Sequence, residues 1–431
     1  MPRAVLDELA AGRGGVAAVT RLRAAQHSKI LLLVRALLLL VRRTAHPDRA
    51  VVETAYRVLA EVPTPDRLAA LSHPPVAAWT FGTVSLLEAG SGSAAYPGLL
   101  AAVAVTAAVR AGTAVELDVP LAPDANGRLD LPGLGTLTLP VTATRARVHT
   151  CGGQVWVNAA GKRVDIDSGR SSDRRWRPLS RLDVAHGGLP LSLLVDTRTW
   201  RYVPGLGGDR RFSGASTGAW QARLDSAWRI LVDHHRPVAE EASALLRALV
   251  PIAAPRTSTR SGTFHHAFGS VAMSLPPDAR STAVALAHEI QHAKLAALTD
   301  MFATLEPGPT ELFYAPWRTD PRPLDSLLHG AYAHVGVAGF WRRQARVTDP
   351  GAARHHAEVQ FARWSRAAAG TVAVLAAQRR LTPVGRHLVD GMAGVLGRWL
   401  AEPVAARAAA EADRLLVAHR NRWDRYRAPT G

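Results

Sequence analysis

Ala279-Arg-Ser-Thr-Ala-Val-Ala-Leu-Ala-His288-Glu289-Ile290-Gln291-His292-Ala-Lys-Leu295 is the stretch on which the reading of this chain turns. Pro276-Pro277-Asp278 precedes it and makes a good helix start. No proline or glycine follows until after Glu306, so the spacing predicts a long helix. Within that helix His288 and His292 stand one turn apart and project from one face, about 6 Å from each other. Two imidazoles so placed can hold one divalent transition metal. With 17 histidines in the chain, an H-E-x-x-H match has a chance expectation of only about 0.02. Leu286, Ile290 and Leu295 supply apolar surroundings. The bland alternative is a buried helix that happens to carry polar residues.

Outward from this helix the chain divides into three regions. Residues 1–112 show helical spacing, punctuated by Pro63, Pro65 and Gly90-Ser-Gly-Ser. Residues 113–205 are β-rich: Val115-Glu-Leu-Asp-Val, Leu129-Asp-Leu, Thr136-Leu-Thr-Leu, Gln154-Val-Trp-Val-Asn and Leu191-Ser-Leu-Leu-Val-Asp alternate with period two, with turns such as Asn126-Gly127 between them. Residues 206–431 return to helix. Trp220, Leu224, Trp228 and Leu231 share a face, Glu240 to Leu249 continues the helix, and Gly262 to Leu275 reads as a short hairpin turning near Gly269. The expected fold class is α+β and mainly helical: a helical body carrying the H-E-x-x-H helix, with a β-rich middle region.

The chain has 431 residues, 48% hydrophobic and 20% charged, which argues against wholesale disorder. One cysteine, Cys151, excludes a disulfide framework and any metal site built on a cysteine cluster. The net charge of +17 first suggests nucleic acid. Yet only Lys29, Lys162 and Lys294 are lysines, and the arginines are scattered rather than gathered in a tract. A basic solvated surface explains that pattern better, with an acidic peptide or acidic small molecule as a sensible partner. The start lacks a signal-peptide pattern, and Ile30 to Val41, interrupted by Arg35, reads as too short and charged to span a bilayer. A cytoplasmic, membrane-free protein is expected.

A catalytic metal needs a third protein ligand and open positions. The metzincin extension would need glycine where Leu295 stands and histidine where Leu298 stands, so that class is excluded. Glu311 lies at a gluzincin-like distance, but Glu306-Pro-Gly-Pro-Thr-Glu311 is too proline-rich for a regular helix. Asp300, Asp320 and Asp325 are weaker carboxylate candidates. Ser326 to Trp341 reads as a second helix, apolar nearly all round, and a histidine there is costly without a partner. A satisfied core histidine is the commoner explanation of a lone case. A half-site lacking a ligand tilts the reading to His329, with His334, expected to face elsewhere, in reserve. Pro316-Trp317-Arg318-Thr319-Asp320-Pro321-Arg322-Pro323 stiffens the approach to this helix and would hold Arg318 and Arg322 near the metal, where guanidinium suits bidentate capture of a carboxylate. The lone His186, the pair His234-His235 and the pair His355-His356 read as surface residues.

Ala287-His-Glu-Ile-Gln-His-Ala-Lys-Leu295, Tyr314-Ala-Pro-Trp-Arg-Thr-Asp-Pro-Arg-Pro323 and Leu328-His-Gly-Ala-Tyr-Ala-His334 resemble the H-E-x-x-H proteins of bacterial ribosomal-peptide modification clusters. The opening, Leu9-Ala-Ala-Gly-Arg-Gly-Gly-Val, is similar too. That family is described as 2-oxoglutarate-dependent peptide β-hydroxylases. The resemblance implies non-haem Fe(II) and 2-oxoglutarate as cofactors, and a ribosomally synthesised precursor peptide as partner, with other enzymes of a modification cluster as further candidates. The ligand set preferred from the residues, His288, His292 and His329, departs from the usual two-histidine, one-carboxylate triad, in which an aspartate or Glu289 would bind instead. Glu289 would orient a ligand or water in the catalytic site, and Arg318 or Arg322 would anchor the distal carboxylate of 2-oxoglutarate. Two other readings stand beside it. A zinc peptidase would use Glu289 as general base to a metal-bound water. A non-catalytic peptide or nucleic-acid binder would need no metal, and its affinity would fall steeply with salt.

Overall fold

A computed structural model describes residues 1–121, 127–140, 143–159, 161–166, 174–197, 214–253 and 259–427 of the chain. The fold is α+β and mainly helical, 58% helix with several small sheets. The N-terminal region forms helices α1 (Arg3–Ala10), α2 (Gly15–Arg43), α3 (Arg49–Glu61), α4 (Thr64–Leu71), α5 (Pro74–Glu88) and α6 (Leu99–Ala111). Pro63 is the N-cap of α4, and α5 carries prolines in its first turn, where a missing N–H costs nothing. By length and composition, α2 is the one helix among the described residues that could cross a membrane. The dozen-residue apolar run of the sequence reading is part of this 29-residue helix. Its Ile30, Val34, Leu37, Leu38 and Val41 pack into a protein core, while Leu31, Leu32 and Leu39 are exposed.

The β-rich segment does not form one sheet. Strands β1 (Val115–Pro120), β4 (Arg145–Cys151), β5 (Gln154–Ala159) and β6 (Lys162–Ile166) make an antiparallel sheet in the order β1-β4-β5-β6. Strands β2 (Arg128–Leu131), β3 (Gly135–Thr138) and β7 (Trp176–Pro178) make a second. Both share one core with α2 to α6, in which Leu117, Val148, Val157 and Trp176 join the residues Leu99 to Val109 of α6, all of them buried. The expected turn at Asn126-Gly127 falls partly outside the described residues.

Strands β8 (Ser180–His186) and β9 (Leu189–Val195) turn away from that core and join β10 (Ala248–Pro251), β11 (Ser261–Gly262) and β12 (Ser270–Met273). The sheet order is β11-β12-β10-β9-β8, so it runs across the boundary drawn at residue 205. Its centre is parallel: β10 pairs in parallel with both β9 and β12. Helices α7 (Gly214–His234) and α8 (Arg236–Leu245) make the crossover from β9 to β10. Here the sequence reading needs correction, because Ala248 and Leu249 belong to a strand rather than to the end of a helix. All four residues of β10 are buried, and a strand covered on both faces loses the alternation that marks a strand. The expected hairpin is present as β11 and β12, paired antiparallel.

The remainder is helical. It comprises α9 (Ala279–Thr299), α10 (Leu324–Val347), α11 (Ala352–Ala376), α12 (Pro383–Leu400) and α13 (Ala406–Arg427). A two-residue pairing of β13 (Leu312–Phe313) with β14 (Arg322–Pro323) closes the proline-rich loop before α10. Asp278 caps α9 by accepting from the Ser281 amide at 2.7 Å.

Candidate metal centre

Helix α9 lies between the parallel sheet and α10. Its Ala283, Leu286, Ala287 and Ile290 pack against the sheet-side core, and Leu295 and Leu298 enter the core shared with α10. This leaves His288 and His292 on the ridge that meets α10, each half-buried. Their Nε2 atoms are 3.1 Å apart. Between neutral rings this is a hydrogen bond, one donating and one accepting. Burial holds the His288 imidazole down to about 4 and the His292 imidazole to about 3, the latter helped by the neighbouring His288. Neutral imidazoles are the form that binds a metal. Two nitrogens each about 2.0–2.1 Å from one ion and close to a right angle at it are also about 3 Å apart. The pair therefore fits a metal half-site.

Two imidazoles from α10 face this pair. The His334 ring lies 5.1 Å from His288, and the His329 ring lies 6.2 Å from His292 and nearly parallel to it. Because α9 and α10 run antiparallel here, the four form a row: His334, His288, His292, His329. The expectation that His334 faces elsewhere is corrected: five residues turn a helix by well under two turns, and the crossing ridge of α9 meets both positions. His334 donates from Nδ1 to the Gly330 carbonyl at 2.8 Å, which leaves Nε2 as its free acceptor. It is buried beneath the Trp317 ring, 4.3 Å away and stacked. His329 is half-buried, and burial lowers its imidazole to about 4. No three of these four rings bring all their ligand atoms within 4.8 Å of one another. Among the described residues the group that does is His265, His266 and Asp300.

That second group continues the row, since the His265 ring is 6.4 Å from His329. Its chemistry is already balanced. Asp300 accepts from His265 Nε2 at 2.9 Å, from Lys29 Nζ at 2.7 Å and from Gln26 at 2.8 Å. Lys29 Nζ also lies 3.2 Å from His266 Nδ1. Burial pushes the Asp300 carboxyl up, but those hydrogen bonds outweigh it and hold it below the carboxylate range. The ammonium stands where a cation would stand.

Glu289 is 1% exposed. Its two oxygens accept from Ser261 and Thr263, each at 2.7 Å, and Oε1 lies 3.9 Å from His288 Nε2. The carboxylate thus ties α9 to the β11 segment and borders the candidate half-site. The stiff loop places Arg318 and Arg322 on a common partner: Arg318 Nε donates to Asp320 at 2.7 Å and Arg322 Nη1 at 3.2 Å. Arg318 is half-exposed and no described contact joins either arginine to the four imidazoles.

Sequence reasoning missed the residues that fix α9 from behind. Lys294, fully buried, donates to Glu241 of α8 at 2.8 Å and to the Gly12 and Arg13 carbonyls at 3.2 Å. Gln291 donates to the Gly12 carbonyl at 2.8 Å. The signal available was a lysine two residues past the motif in an otherwise apolar run; its partners lie far away in the chain. The pair His234-His235 is also corrected. His235 is buried, stacked on Phe340 at 4.2 Å and bonded to Gln344. No protein-family model matches the chain, and no curated protein was found to match it.

Proposed function

We propose that this protein is a non-haem Fe(II) and 2-oxoglutarate-dependent oxygenase that hydroxylates a side-chain β-carbon in a ribosomally synthesised precursor peptide. The observation that carries the reading is the pair of neutral Nε2 atoms 3.1 Å apart on a ridge that faces further imidazoles. His288 and His292 would hold the ion, with His329 as third ligand and His334 as the competing imidazole. An all-histidine set with open positions suits iron, and bound iron with 2-oxoglutarate supplies the oxidising chemistry. The protein's own part is positional. Glu289, held by Ser261 and Thr263, would orient a ligand or water beside the half-site. Leu295 and the α10 core exclude water from one side. Arg318 and Arg322 would capture the distal carboxylate of 2-oxoglutarate, in competition with Asp320, which both guanidiniums bind now.

A second reading, a zinc peptidase, is favoured by one specific distance, the 3.9 Å between Glu289 and His288 Nε2, which sets the carboxylate beside the half-site. The two readings part in one experiment. The chain is co-expressed with a candidate precursor peptide and the peptide is weighed. The oxygenase yields a product heavier by one oxygen atom and needs ferrous iron, 2-oxoglutarate and air. The peptidase yields fragments with zinc alone. Metal analysis of the purified variants tests the ligands: His288→Ala and His329→Ala lose the ion and the product, whereas His334→Ala keeps the ion. Full occupancy in His329→Ala moves the third position to another residue.

A further inference from the structure

A cluster of four arginines lies away from the four imidazoles. A cavity of about 430 Å³ opens between α2, α4, α6 and the β8–β9 hairpin. Arg23, Arg110, Arg181 and Arg247 line it together with His27 and His73. No aspartate or glutamate lines it among the described residues. Such an imbalance is uncommon, because like charges brought together without a counter-ion repel one another. Burial lowers the Arg23 guanidinium, and burial together with the Arg23 charge lowers Arg247 and His27.

Two of the arginines are fixed and two are free. Arg247 donates to the Ser243, Ala244 and Leu246 carbonyls at the end of α8, and Arg181 donates to Ser192 Oγ at 2.7 Å. Arg23 and Arg110 make no hydrogen bond or ion pair with any described residue. Independent of charge, two hydroxyls are orphaned at the same cavity. Thr106 Oγ1 and Ser72 Oγ are buried and have no hydrogen-bond partner, and Thr106 is 2% exposed. Its helix position would ordinarily let it bond to the carbonyl one turn back. A buried polar atom left unpaired costs about 1–3 kcal/mol, which a ligand oxygen would recover. The rest of the lining is apolar, including Ile30, Leu68, Leu194 and Phe268.

From this arrangement we infer a second binding site, for a small organic anion whose doubly charged oxyanion head meets the arginines and Thr106 while an apolar body fills the cavity. Its volume falls in the range of small-molecule sites. Phosphate and carboxylate heads share the required chemistry, since guanidinium binds both in bidentate fashion. The inference does not depend on the metal reading, because none of His288, His292, His329 and His334 lines this cavity.

Phenyl phosphate and phthalate are suitable probes, each an aromatic ring with a doubly charged head, titrated into the full chain by calorimetry. At least one is expected to bind saturably, one per chain, and the better of the two names the head group. Arg23→Gln should weaken that probe tenfold or more and Thr106→Val several-fold. The distant Arg57→Gln and His288→Ala should leave it unchanged. Circular dichroism verifies that each variant is folded. Should Arg23→Gln fail to fold, Thr106→Val decides alone. Unsaturable binding of both probes, or equal weakening by Arg57→Gln, means a basic surface only and overturns the site. Loss of metal in His288→Ala with probe binding intact separates a failure here from a failure of the oxygenase reading.

Discussion

Lys294 shows how far a single residue can be from its sequence appearance. Its ammonium is wholly buried against Glu241. A buried ion pair is expensive to form, and removing one partner strands the other charge. Lys294→Met is therefore expected to lower unfolding free energy by about 3–5 kcal/mol, measured by urea denaturation. The double variant Lys294→Met with Glu241→Leu should recover part of that loss; an equal or greater loss in the double variant would contradict the pairing. The buried histidines give a pH prediction. His235 is held down to about 3 and His329 to about 4, both first by burial, against an ordinary value of 6.5. Below pH 6.5 the unfolded chain takes up protons that the folded chain refuses, so stability is full above that value and falls as pH drops toward 4. Each such histidine contributes about 1.4 kcal/mol per pH unit in that window. His235→Gln should flatten the slope of stability against pH for the metal-free protein; an unchanged slope would show that His235 is not the group refusing the proton.

At the level of elements, the approach of the proline-rich loop to α10 is the sensitive contact. Trp317 lies so close to Gly330 that an added Cβ would collide with its indole ring. The same ring stacks on His334. Gly330→Ala is expected to displace Trp317, destabilise the fold by about 1–3 kcal/mol and loosen the His334 end of the imidazole row. A tryptophan emission spectrum and melting temperature identical to those of the parent would rule out this account. The α9–α10 pair was legible because each helix carries its own signals. Asp278 after two prolines starts α9, and the apolar composition of residues 326–341 marks α10 as buried. Strand β10 was not legible. Four buried residues beside a helix carry no period, and only its two parallel neighbours make them a strand.

Across the whole molecule, the N-terminal segment completes the body that carries the candidate centre. The carbonyls of Leu9, Gly12 and Arg13 accept from Tyr332, Gln291 and Lys294, and the Gly15 amide donates to Glu241. A chain begun at Gly15 would leave several buried donors unpaired, each costing about 1–3 kcal/mol. Its urea midpoint should fall well below that of the full chain, and an unaltered midpoint would show that water replaces these bonds without loss. The H-E-x-x-H pair, the helical body and the β-rich middle follow from local periodicity, capping and spacing, which act over a few residues and are written in their order. The row of four imidazoles, the Lys294–Glu241 pair and the arginine-lined cavity depend on which helix faces meet. That was decided by packing between segments tens to hundreds of residues apart, where burial and antiparallel register, and no local pattern, choose the partners.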